Sequence, residues 1–165
     1  MNDMATPSVS LEGKSLWLAQ SLPLTPWQVL RAKLKVHLAL TAIPAFVPLV
    51  CMAFVLPLTP ALPLIFVTAL SYIVFSACLG LTLGVMRANL TWTNELAPVK
   101  QSLAVAIAMF GGWAYALLLA ELYLLLGWRI GAAVYLALVS AATIAAALAL
   151  LKWLKTKGAQ RLAAL

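Results

Sequence analysis

Few residues in this chain could do chemistry at all. Its 165 residues include four Asp or Glu, one His and two Cys. The histidine, His37, has no partner at the spacing of an HxxxH or HExxH metal site. Cys51 and Cys78 both fall inside apolar stretches. There they read as two small apolar residues rather than a disulfide or a metal pair. Gly13-Lys14-Ser15 has the ending of a phosphate-binding loop, but that loop needs glycine where this chain has Ser8. Asn89-Leu90-Thr91 matches a glycosylation sequon in a stretch expected to face the cytoplasm, so no glycan is expected. Glu121 is the acidic residue that lies within an apolar stretch, and an intramembrane charge defaults to a functional hypothesis. It sits near the outer end of that stretch, so a role in substrate or proton handling and a structural pairing with Arg129 both stay open. The residue set predicts no catalytic site, no cofactor and no metal, and hence not an enzyme.

The elements that carry these residues explain the poverty. Apolar residues make up 65% of the chain, charged residues 9%, and the mean hydropathy is +1.04. Soluble domains are about 45–50% apolar and about 25% charged. A globule this small could not hide such a surface from water. Four continuous apolar stretches, Val36–Leu56, Ala61–Met86, Ser102–Leu126 and Ile130–Leu151, are each long enough for one helical crossing of a core about 30 Å thick. Backbone groups in lipid must pair internally, and these runs do not alternate as barrel strands do. The expectation is an all-α membrane protein of two helical hairpins. Pro57–Pro60 and Gly127–Arg129 are its tight turns, Arg87–Gln101 its longer polar loop, and 152–165 its basic tail.

The net charge of +7 looks like a nucleic-acid signal until the charges are placed. Lys14, Arg31, Lys33, Lys35, Arg87, Lys100, Lys152, Lys155, Lys157 and Arg161 all fall on one side of an even-span topology, and only Arg129 on the other. The positive-inside rule then makes both termini cytoplasmic and leaves nothing for nucleic acid to explain. The first 35 residues lack a signal-peptide h-region.

Residues 10–35 exceed what a plain bundle needs. Ser10–Leu22 reads as a short amphipathic helix with Leu11, Leu18 and Leu22 on one face. Pro23 ends it. Thr25 is then the expected N-cap of a long helix, with Pro26 at N1 and Gln28 closing a capping box. Leu24 and Val29 stand at the staple positions. This is an elbow: a cytoplasmic knob joined to the first span.

The elbow resembles a known family. Glu12-Gly13-Lys14-Ser15-Leu16-Trp17-Leu18, Ser21-Leu22-Pro23-Leu24-Thr25-Pro26 and Lys33 are similar to the E-G-K-S…S-L-P-[VI]-S-P…K signature of ABC-2-type exporter permeases of bacteria. Trp92-Thr93-Asn94-Glu95 and Val99-Lys100-Gln101-Ser102 resemble the W-T-N-E…V-K-Q-S motif of a later loop. The resemblance covers roughly residues 10–125. It implies a permease subunit in the bacterial cytoplasmic membrane, driven by a separate cytoplasmic P-loop ATPase that binds the ATP. Glu12, Gly13, Lys14, Leu22, Pro23 and Pro26 would lie at the ATPase-coupling contact. Trp92, Asn94, Glu95, Lys100 and Gln101 would form the second motif. Relatives have further spans before the elbow, so the chain is expected to be the C-terminal portion of a longer permease. Its partners would be the lipid bilayer and a second permease unit or the missing N-terminal half. The competing reading is a stand-alone four-span protein, either a dimeric secondary transporter or a non-transporting scaffold.

Small residues recur at four-residue spacing: Gly80 and Gly84 in the second span, Ala104, Ala108, Gly112, Ala116 and Ala120 in the third, Ala133, Ala137, Ala141, Ala145 and Ala149 in the fourth. Such spines are expected at helix–helix contacts. Pro44 and Pro48 are expected to kink the first span.

Overall fold

The computed structural model describes residues 3–15, 21–55, 61–90, 92 and 102–165. Among them there is no strand, and four helices are long and apolar enough to cross a membrane. Helix α1 is Pro26–Val55, α2 is Ala61–Met86, α3 is Leu103–Leu122 and α4 is Ala132–Trp153. A π turn, Tyr123–Gly127, prolongs α3, and a second, Leu154–Gly158, leads α4 into a last turn at Ala159–Ala163. At about 1.5 Å per residue, the 30 residues of α1 span about 45 Å. That is longer than the hydrocarbon core, so the Arg31–Lys35 end projects beyond it.

The capping box forms as the sequence requires. The Thr25 amide donates to Gln28 Oε1 at 2.7 Å, and the Gln28 amide reaches Thr25 Oγ1 at 3.4 Å. Removing that cap with Thr25→Ala is expected to cost about 1 kcal/mol in a detergent-unfolding titration. α1 then runs through Pro44 and Pro48 as one helix.

α2 is the centre of the bundle. α1, α3 and α4 each pack on it. The start of α1, the end of α2 and the end of α4 meet in the main core cluster, built on Leu30, Leu34, Ala77, Leu81, Val85, Leu154 and Leu162. The exposed Arg31, Lys35, Arg87, Lys152, Lys155, Lys157 and Arg161 therefore share one end of the molecule, and Arg129 stands at the other. Residues 152–163 are more than a tail, because Leu154 and Leu162 are buried in that cluster.

The outer surface is the opposite of a soluble protein's. Ile43 is 71% exposed, Phe54 86% and Leu124 75%. Burying one such side chain is worth about 1.5–3 kcal/mol in water, so a surface of this kind belongs against lipid. Threonine hydroxyls in the spans find acceptors within their own helices. Thr68 donates to Leu64 O, Thr82 to Cys78 O and Thr143 to Val139 O, each at 2.7 Å. This is a multi-pass membrane protein.

Three sequence expectations change. The second hairpin does not turn at Gly127–Arg129, because the helix continues to Ile130 and breaks at Gly131, whose φ of 82° suits glycine. Ser10–Leu22 is not one α-helix. Ser10–Ser15 is a 3₁₀ segment interrupted at Gly13, and residues 16–20, with Leu18, lie outside the described residues. The glycine in the middle wins over the amphipathic pattern.

The small-residue spines are the third. In α4, Ala137, Ala141, Ala145 and Ala149 are exposed, while Tyr135, Ser140, Thr143 and Ala147 face inward. In α3 only Ala104, Ala108 and Gly112 are buried. The hydroxyl-bearing Tyr135 and Thr143 take the packed face of α4, where they meet the Leu119 carbonyl and the Tyr115 hydroxyl of the α3 helix, while Leu138, Ile144 and Leu148 face outward with the alanines. The Pro57–Pro60 turn lies outside the described residues.

Candidate functional site at the basic end

Residues 3–15 form a strap across the basic end, and it is among the best-buried parts of the chain. Ala5, Thr6, Val9 and Ser10 are all buried. The seat is Gly80 and Gly84 of α2. A Cβ at Gly84 would stand 2.3 Å from the carbonyl oxygen of Thr6, and one at Gly80 would stand 3.0 Å from Thr6 Oγ1. The GxxxG pair thus admits the strap's backbone rather than another transmembrane helix, which corrects the expectation for this span. The close approach is the same in kind: missing side chains let two backbones touch.

Polar contacts fix the strap in register. Lys33 Nζ lies 2.7 Å from Glu12 Oε1 and donates to the Ser8 carbonyl at 2.8 Å. The Asn89 amide donates to Ser10 Oγ at 3.0 Å. Trp92 Nε1 donates to the Ser10 carbonyl at 2.6 Å across 82 residues of sequence. The Trp92 ring packs against Gly13, whose φ of 45° and ψ of −123° need glycine. Among the described residues, Thr6 Oγ1 and Glu12 Oε2 are buried with no hydrogen-bond partner.

The two motif segments therefore converge. Gly13 of the first meets Trp92 of the second, and Glu12 pairs with Lys33. Asn94, Glu95, Lys100 and Gln101 lie outside the described residues. The residues expected at an ATPase contact divide: Glu12 and Gly13 are tied into the bundle, while Leu22 and Pro23 are exposed and Pro26 is half-buried. Leu22 and Leu24 are 50% and 49% exposed, and the Leu24 amide closes a tight turn on the Leu22 carbonyl at 2.7 Å. That turn is an apolar knob on a capped helix.

No family model, curated protein or solved structure matches the chain. What the basic end can do is read from its own geometry. Among the described residues no three His, Cys, Asp or Glu side chains are grouped to hold a metal.

A second region lies at mid-membrane. A cleft of about 340 Å³ opens between α2, α3 and α4, with Thr68, Tyr72, Tyr115 and Thr143 among its walls. Tyr72 and Tyr115 stack at 5.7 Å and 6°. Their hydroxyls are engaged: Tyr72 donates to the Gly112 carbonyl at 3.2 Å, and Tyr115 meets Thr143 Oγ1 at 2.6 Å. The cleft thus offers aromatic and apolar surface rather than loose polar groups. Tyr115→Phe is expected to cost only about 0.6 kcal/mol, because intramembrane hydrogen bonds are weak and Thr143 keeps its bond to Val139. Steric-trapping measurements in bicelles would show it.

Glu121 stands apart from both regions. It is exposed near the end opposite the strap and makes no ion pair with Arg129 among the described residues. Sequence reasoning missed Thr6, Ser8 and Val9. The available signal was an uncharged run, Met4–Ser10.

Proposed function

We propose that the chain is the membrane-spanning permease component of an ABC-2-type exporter in the bacterial cytoplasmic membrane, both termini cytoplasmic. A separate P-loop ATPase binds and hydrolyses ATP, and a second permease unit completes the translocation path. The observation that carries this reading is the convergence of the two motif segments. Residues 82 apart, Ser10 and Trp92, share one hydrogen bond at the basic end, beside the Glu12–Lys33 pair. A loop and an elbow joined in this way move as one body with the ends of α1 and α2. A stiff joint passes on a displacement that a loose loop would absorb. The exposed Leu22-Pro23-Leu24 turn is the face that meets the ATPase.

The test is purification of the tagged chain from native membranes. A P-loop ATPase with ATP-hydrolysing activity should co-purify, and Leu22→Asp should abolish its retention without altering helix content. A stable homodimer with no ATPase would support the stand-alone four-span reading instead.

A further inference from the structure

We propose that a groove between α2 and α4 holds one acyl chain of an anionic phospholipid, with the headgroup against Lys152 and Lys155. The groove has a volume of about 320 Å³. Its floor is made by two small residues, Ser71 of α2 and Ala147 of α4, both buried. Its rims are the exposed Val67 and Leu70 on one side and Ile144 and Leu148 on the other. Small side chains between larger ones leave a trough where the two helices meet. The Ser71 hydroxyl donates to the Thr68 carbonyl at 2.8 Å. It is already engaged, so the trough offers hydrocarbon to whatever lies in it.

The length and direction of the trough fit a lipid chain. The ends of α2 and α4 meet in the core cluster of the basic end, so both helices run toward that end. The lining runs from Val67 to Val74 on α2 and from Ile144 to Leu151 on α4, about 10 Å along each helix. That is about two thirds of one leaflet's hydrocarbon, taken as half of a core about 30 Å thick.

Positive charge stands where the headgroup would be. The trough reaches Leu151, and Lys155 follows four residues later, a spacing that returns to the same helix face. Lys152 follows Leu148 in the same way, and both lysines are exposed. Trp153 lies between them in sequence, and tryptophan favours the boundary between hydrocarbon and headgroups. Arg161 brings its guanidinium to 5.9 Å from the centre of the Trp153 ring. Residues 152–163 carry four cations and no acid. The net negative phosphodiester of phosphatidylglycerol complements this set. A zwitterionic headgroup brings its own positive charge and gains less from it.

Native mass spectrometry of the full chain tests this, in micelles titrated with dioleoyl phosphatidylglycerol or dioleoyl phosphatidylcholine. One phosphatidylglycerol should be retained about tenfold more tightly than phosphatidylcholine, since each cation near a headgroup is worth about fivefold. Lys152→Gln combined with Lys155→Gln should remove that preference without altering helix content. Lys35→Gln, at an exposed cation on a helix that does not line the groove, should keep it. A phosphatidylglycerol carrying a diazirine on its acyl chain should crosslink to residues 67–74 and 144–151. Excess inorganic phosphate should not displace the lipid, because the acyl chain anchors it. Equal retention of the two lipids, an equal loss in Lys35→Gln, crosslinks confined to other helices, or displacement by phosphate would each overturn the proposal. So would a homodimer that retains no lipid, because a second copy would then fill the groove. No ATPase takes part, so failure here leaves the exporter reading to its own test.

Discussion

Gly84→Ala should unseat the N-terminal strap and destabilise the basic end more than any other single methyl group added to the bundle. The added Cβ would lie 2.3 Å from the Thr6 carbonyl oxygen and 3.2 Å from its carbon. These are backbone atoms, so no rotamer change relieves the contact. Thr6 is buried between the buried Ala5 and Pro7, and the ring of Pro7 fixes its own φ. Either the strap lifts or α2 bends, and overpacking of this kind costs about 1–3 kcal/mol. The upper end is expected here, because the obstacle is backbone. Gly80→Ala should cost less, since its neighbours are side-chain atoms, Thr6 Oγ1 at 3.0 Å and Ala5 Cβ at 3.3 Å. Gly111→Ala is the control. Nothing lies within 4 Å of its Cβ position, and alanine is the better helix former by about 1 kcal/mol. Reversible unfolding in mixed micelles should rank the variants Gly84→Ala, Gly80→Ala, Gly111→Ala from least to most stable. Equal stability of Gly84→Ala and Gly111→Ala would remove the seat from the account.

The glycine pair also marks where sequence reasoning stops. Helix number and the capped start of α1 follow from local rules, because lipid enforces internal hydrogen bonding and Thr25 with Gln28 satisfies the first amides. The gathering of basic residues at one end follows from counting spans. What occupies a small-residue groove does not follow, because Gly80 and Gly84 accept any close backbone, helical or not. The turn at Gly131 was missed for a related reason. Gly127 and Gly131 are both plausible helix ends, and only the positive φ at Gly131 separates them. The meeting of Gly13 with Trp92 was legible as two motifs but not as one contact. Pairing across 82 residues leaves no periodic trace.

Gly13→Ala has the second largest expected effect, and its two causes can be separated. The backbone there, φ 45° and ψ −123°, lies where L side chains rarely go, a conformation worth about 1–3 kcal/mol of strain for alanine. The Trp92 ring adds a second obstacle, with Cζ2 at 2.8 Å and Nε1 at 2.9 Å from the Cβ position. Moving the indole aside breaks its bond to the Ser10 carbonyl, worth about 1 kcal/mol. Trp92→Ala removes the second cause and leaves the first. Gly13→Ala should therefore cost about 3 kcal/mol in the wild-type background and about 1 kcal/mol less in Trp92→Ala, a coupling that a double-mutant cycle resolves. Zero coupling would mean that the ring does not rest on Gly13. Full coupling, with Gly13→Ala harmless once Trp92 is gone, would mean that the segment relaxes to an ordinary dihedral when the ring leaves. In that case the indole, and not the glycine, sets the bend between the strap and the elbow. The joint between the two motif segments would then be made by Trp92, and any displacement delivered to the elbow would reach α2 through that ring.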